Sequence, residues 1–151
     1  MRSVILLTTT IMAGLMAGLF FTYANSVLPG LRQTDDRTFV HAMQRMNVAI
    51  VNPWFLLPFL GTVVLAGLAA VLHLHSGALP WIVAGFVLYL AQLIITFSLN
   101  IPLNNQLDAA SLVDATAARA QFEAAWIRWN YVRTVVVLGS FASLVIAVSR
   151  R

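Results

Sequence analysis

The 151-residue chain contains no cysteine and no lysine. Without cysteine there is no disulfide, no thiolate nucleophile and no cysteine-held iron–sulfur cluster, and nothing reports the redox compartment. Charge is scarce as well. Charged residues make up 9% of the chain, and the formal net charge of +4 is spread along it without a basic block, so no nucleic-acid partner is expected. Of the three histidines, His73 and His75 lie two apart and would point to nearly opposite faces of a helix, with no carboxylate beside them. No metal site is expected there. There is no sequence repeat and no low-complexity segment.

What fills the chain instead is apolar. Hydrophobic residues account for 60%, the mean hydropathy is +0.86, and they come in runs of about 20 residues, the length that crosses a bilayer as a helix. The expectation is an all-α integral membrane four-helix bundle in one domain, 1–151. An amphipathic helix lies between spans one and two, and the fourth helix is long enough to extend out of the membrane. The spans fall near 4–24, 53–74, 80–99 and 132–149, the last extended backwards to about residue 116.

The first span competes with a cleavable signal peptide, since Thr22 and Ala24 loosely resemble a small-residue cleavage site. Its length and the Gly14/Gly18 pair, at the spacing of close helix packing, favour a span. Leu28-Pro29-Gly30 reads as a turn. From Thr38 the pattern is helical, with Phe39, Met43, Met46 and Ile50 on one stripe and Arg37, His41, Gln44 and Arg45 opposite. Asp35 suits its N-terminal cap, and Asn52-Pro53 marks the start of span two. The short connector at 75–78 makes spans two and three antiparallel neighbours. On span three, Tyr89, Gln92, Thr96 and Asn100 form a polar stripe that should face the bundle, because lipid offers no hydrogen-bond partner. Pro102 is expected to end that helix, with a loop through Asp108 and a new helix from about Asp114 or Thr116.

Four antiparallel spans gather Asn52, Thr96, Asn100, Asn104, Asn130 and Arg133 on one membrane side, whereas the other shows only Arg2, two histidines and Arg150-Arg151. Converging amides suggest a pocket opening to that side. Trp126, Trp129, Asn130 and Arg133, at i, i+3, i+4 and i+7, share a helix face. Asn residues also cap and bridge membrane helices, and Trp residues also sit in interfacial belts, so each has a structural alternative. Arg133 needs an anionic partner if it faces inward: Glu123, Asp108 or a ligand oxygen; otherwise it snorkels to the interface. By arginine placement, both termini are expected in the cytoplasm, with the protein in the cell membrane.

Three motifs carry a resemblance: Met43-Gln44-Arg45-Met46-Asn47 leading to Asn52-Pro53, Asn100-Ile101-Pro102-Leu103-Asn104-Asn105, and the stretch from Trp126 to Thr134. With them the chain resembles the anthrone oxygenase-like family of small four-span membrane proteins. The resemblance implies oxidation of an anthrone to an anthraquinone without a cofactor. Such a reaction needs only to bind, deprotonate and stabilise a flat phenolic ring system that partitions from membrane lipid. Trp126 and Trp129 would hold the rings; Arg133 with Asn100, Asn104 and Asn130 would stabilise an oxyanion; His41 or Glu123 would be the base. Asn52 joins the substrate-binding candidates. The alternative is a non-enzymatic membrane module that binds a lipid, quinone or partner protein through the same pocket. A transporter or channel fits less well, because the spans lack ionisable residues at mid-depth. Oligomeric state is not legible.

Overall fold

In the computed structural model, which describes residues 1–150, every regular element is helical. Seven α-helices follow in order: α1 (Arg2–Thr22), α2 (Leu28–Leu31), α3 (Asp36–Ala49), α4 (Pro53–Leu72), α5 (Leu79–Ile95), α6 (Ile101–Asp108) and α7 (Ala115–Ser149). A π-turn at Tyr23–Val27 joins α1 to α2, a second at Thr96–Asn100 joins α5 to α6, and a 3₁₀ turn at Leu112–Asp114 precedes α7. Four apolar stretches are long enough to span a membrane: Arg2–Leu31, Pro53–Leu72, Leu79–Asp108 and Leu112–Ser149. The protein is an all-α, four-span integral membrane bundle.

Around the bundle α1, α4, α5 and α7 each pack on two neighbours in up-down-up-down order. Small residues allow close approach: Gly85 on α5 lies against Leu144 on α7, and its carbonyl accepts the Ser140 hydroxyl at 2.7 Å. Gly14 meets the Phe141 ring in the same way, but Gly18 faces open space, so the expected glycine pair is really a single contact.

Both prolines expected to break helices are carried through them. Val27 ends one π-turn two residues before Pro29, and Asn100 ends the other two residues before Pro102. A proline ring clashes with the carbonyl four residues back and offers no N–H. One widened turn just upstream absorbs both defects and lets the helix run on. The turn expected at 28–30 and the loop expected at 103–108 are therefore helix, α2 and α6.

Span α4, at 20 residues, is about 30 Å long, the thickness of the hydrocarbon layer. The other three exceed it by roughly 15–27 Å, all on the side away from the short 73–78 connector. There α2, α6 and the first turns of α7 join α3 in a cap. It has its own core of Leu28, Phe39, Val40, Met43, Leu107, Phe122 and Trp126, separate from the bundle core around Phe20, Phe59, Tyr89 and Leu144. As expected, α3 is amphipathic: Asp35 caps it by accepting the Thr38 N–H at 3.0 Å, and Phe39 and Met43 are buried. Arg119 on α7 ties the approach to α3 in place, donating to the Arg32 and Thr34 carbonyls, to Asp36 and to Glu123.

Candidate functional site

Between the two cores lies a cavity of about 770 Å³, the size of a small-ligand pocket. Its walls are mostly apolar and aromatic, with Phe20 and Tyr23 from the first span, Met43 from α3, Phe59 from α4, Phe97 from the second π-turn and Trp126 from α7. Each π-turn supplies part of the lining. Phe59 stands six residues into α4, about 9 Å below its start, so the deep end lies within the hydrocarbon layer.

Arg133 forms the floor. It is 7% exposed, with its guanidinium carbon 4.4 Å from the centre of the Phe20 ring and 5.2 Å from that of Trp126. These are cation–π distances. Asn130, one turn earlier on α7, accepts from Nε at 3.2 Å and Nη2 at 3.0 Å through its Oδ1; Nη1 reaches the Thr96 hydroxyl at 3.5 Å. Three of the five guanidinium N–H groups are thus engaged within the protein and two remain. No carboxylate among the described residues pairs with it. The expected internal partners are occupied elsewhere. Glu123, ten residues away and so about 15 Å along the same helix, binds Arg119 at 2.6 Å and Arg32 at 2.9 Å. Asp108 accepts from Asn47 at 3.0 Å. Arg133 is also too buried to snorkel.

A ladder of polar groups climbs from that floor. Thr96, Asn104 and Asp108 all line the cavity, and Asn104 accepts the Trp126 indole N–H at 2.6 Å. Asp108, exposed, stands one turn above Asn104 at the aqueous mouth. Two side chains of α3 hold α6 in place: Asn47 through Asp108, and Gln44 by donating to the Leu107 and Ala110 carbonyls at 2.8 and 3.1 Å. These carbonyls stand at and just beyond the end of α6, where the regular helix ladder stops.

The remaining candidates sort clearly. Tyr89, Gln92, Thr96 and Asn100 all face the bundle interior as expected, each at most 7% exposed. Tyr89 donates to the Phe59 carbonyl at 3.0 Å. Asn100 and Asn130 sit behind the cavity wall rather than in it; Asn100 reaches only the Trp126 carbonyl, at 3.5 Å. Trp129 lies outside the cavity, half-buried beneath Arg128, because the face that points inward is narrower than the i, i+3, i+4 stripe. Asn52 spends its side chain at the start of α4, accepting the Phe55 N–H at 3.1 Å and donating to the Ala49 carbonyl at 2.8 Å. His41 is exposed on α3 and accepts from Arg45 at 3.2 Å. Neither His41 nor Glu123 lines the cavity, so the two expected bases are not in reach of it. Among the described residues no cluster of three metal-ligating side chains occurs.

The sequence offers Asp108 only as a possible partner for Arg133 and does not point to Tyr23. The signal for Asp108 was present: Thr96, Asn100, Asn104 and Asp108 recur every four residues, one helix face read straight through Pro102.

Fold and site together define a four-span membrane protein with an internal, mainly apolar cavity and a buried cation, Arg133, at its base. Residues 52–143, more than half of the chain and including every cavity residue of α4 to α7, match the family model described as anthrone oxygenase. The chain belongs to that family. Comparison with curated proteins and with solved structures gave no match.

Proposed function

We propose that this protein is a cofactor-independent oxygenase that takes a flat, phenolic, anthrone-like ring system into the cavity and returns the quinone. The observation that supports this reading best is Arg133: a buried cation without a carboxylate, flanked by aromatic faces, with two free N–H groups at the base of an apolar cavity. A ligand oxygen that becomes negative during reaction completes such a site. In an anthrone the carbonyl and the methylene stand across the central ring. With the carbonyl oxygen on Arg133, the methylene is directed up the ladder toward Asn104 and Asp108. The methylene proton then passes through water in the cavity to Asp108 at the mouth, the role that the sequence suggests for His41 or Glu123. The resulting delocalised anion passes electrons to dioxygen, which bonds to the former methylene carbon as a hydroperoxide after regaining the proton. Loss of water leaves the second carbonyl. One oxygen atom ends in the quinone and one in water, so the four-electron oxidation of carbon balances the reduction of dioxygen.

Removing a donor to a developing oxyanion typically costs about 10²–10³ in rate. Arg133→Ala should therefore abolish anthrone consumption above the spontaneous rate in proteoliposomes. Arg133→Lys should restore little, because a point charge lacks the planar two-pronged donor. Asp108→Asn should slow turnover while leaving substrate binding intact. Equal rates in wild type and Arg133→Ala would overturn the reading.

One observation favours the alternative of a binding module for a quinone or lipid: among the described residues, the one carboxylate lining the cavity, Asp108, is exposed to water at its mouth. Under that reading Asp108→Asn and wild type both bind the ring and neither accelerates its oxidation. We also place both termini in the cytoplasm and the protein in the cell membrane, on the strength of Arg2 and Arg150 beside span ends that carry no acid. A reporter fused to either end, active only in the cytoplasm, tests this.

A further inference from the structure

The cavity has a second boundary besides its aqueous mouth. Leu56 and Leu60 on α4, Phe97 on the π-turn after α5, and Val48 and Val51 before α4 all line it, yet they are 37–69% exposed. Every one is apolar. Deeper in the bundle α4 and α5 are fastened together, since the Tyr89 hydroxyl donates to the Pro58 and Phe59 carbonyls at 3.3 and 3.0 Å. Above that fastening the backbones part, and α4 stays in touch with the redirected chain through the Phe59 and Phe97 rings, whose centroids are 6.2 Å apart. Pro58 frees α4 from one backbone bond, and the widened turn at Thr96–Asn100 redirects α5 into α6, which is held to α3 and α7 instead. The gap between them is at the depth of lipid chains.

We propose that this gap is a lateral portal through which the cavity is loaded from the bilayer. Its ligand class is then a membrane-dissolved amphiphile: an apolar body that slides between Leu60 and Phe97, with one oxygen-bearing end that meets Arg133. The proposal rests on the reading of the cavity as a ligand site and not on the reaction carried out there. A water-facing mouth lined by Asn105 and Asp108 suits departure of a more polar product and approach of protons, whereas the apolar rim offers a polar solute nothing.

Trp126 lines the cavity and is only 3% exposed, which makes it a reporter of what enters. A variant with Trp54, Trp81 and Trp129 replaced by Phe is reconstituted in phosphatidylcholine vesicles whose acyl chains carry bromine, a contact quencher, and separately in unbrominated vesicles with iodide in the water. The portal predicts strong quenching of Trp126 by brominated chains and weak quenching by iodide. It also predicts that Leu56→Phe with Leu60→Phe, which narrows the rim, removes most of the brominated-lipid effect and leaves the iodide effect unchanged. Quenching by iodide alone, quenching by neither, or brominated-lipid quenching indifferent to the rim substitutions would each overturn it. If the triple Phe variant does not fold, the rim substitutions in the otherwise unaltered protein give the same answer by difference. Brominated-lipid quenching in a protein that oxidises no anthrone would keep the portal and remove the reaction; turnover without such quenching would do the reverse.

Discussion

At the scale of the residue, Arg133 carries the most weight because its surroundings do not stabilise it well. A buried charge gains little from amides and aromatic faces compared with what it loses in water, and apolar replacements of buried charges are often neutral or stabilising. Asn130 complicates the exchange, since its Oδ1 would lose both donors, and its Nδ2 already lacks a partner. Leaving that oxygen unpaired costs about 1–3 kcal/mol. Arg133→Met alone should therefore leave the melting temperature in detergent nearly unchanged, and Arg133→Met with Asn130→Leu should raise it. Circular dichroism on the two purified variants checks this. A large fall in both would mean that Arg133 is a structural residue. A rise in the double variant would show that packing alone does not maintain Arg133.

At the scale of the element, α3 roofs the cavity through Met43, Met46 and Asn47, and its N-terminus depends on one exposed carboxylate. Hydrogen bonds from the Thr38 hydroxyl, at 2.6 Å, and the Thr38 N–H hold the Asp35 carboxyl below its ordinary range. A group whose pKa is lowered by folding contributes stability that is present above its unfolded value and lost as pH falls through the folded one. Amide exchange in the first turns of α3 should accordingly quicken as pH falls below the usual carboxylate range, after correction for intrinsic exchange. Asp35→Asn, which keeps an accepting oxygen but does not titrate, should flatten that dependence. An unchanged pH profile in Asp35→Asn would rule out the cap as its source. The capping signals at Asp35 and Asn52 were readable because they are local, a short polar side chain followed by three N–H groups without partners. The two π-turns were not. A proline signals a defect in the helix ladder, but whether the chain stops or widens one turn is decided by what the continued helix can bury. Here Leu28 and Leu107, placed by α2 and α6, both fill the core of the cap.

At the scale of the whole molecule, hydropathy was enough to place four spans and their alternating directions, and lipid's lack of hydrogen-bond partners was enough to turn Tyr89, Gln92, Thr96 and Asn100 inward. The cavity's polar end was also legible in part: Trp126, Asn104 and Arg133 meet there. Which side chains stand behind the wall was not, because Asn100, Asn130 and Trp129 differ from them by rotations smaller than a sequence stripe resolves. Nor was the apolar majority of the lining, since Phe20, Phe59 and Phe97 resemble any lipid-facing aromatic until two cores are seen to leave a space between them.

Oxyanion stabilisation by Arg133 is tested most directly by a ligand that cannot react. A hydroxyanthraquinone has the same flat shape, and its phenol changes colour when it ionises. Bound to wild-type protein in proteoliposomes, it should ionise at a pH well below that found in protein-free vesicles, because Arg133 favours the phenolate. With Arg133→Met the probe should still bind, held by the aromatic walls, and ionise as it does in lipid alone. An identical ionisation pH in the two proteins would contradict the role assigned to Arg133.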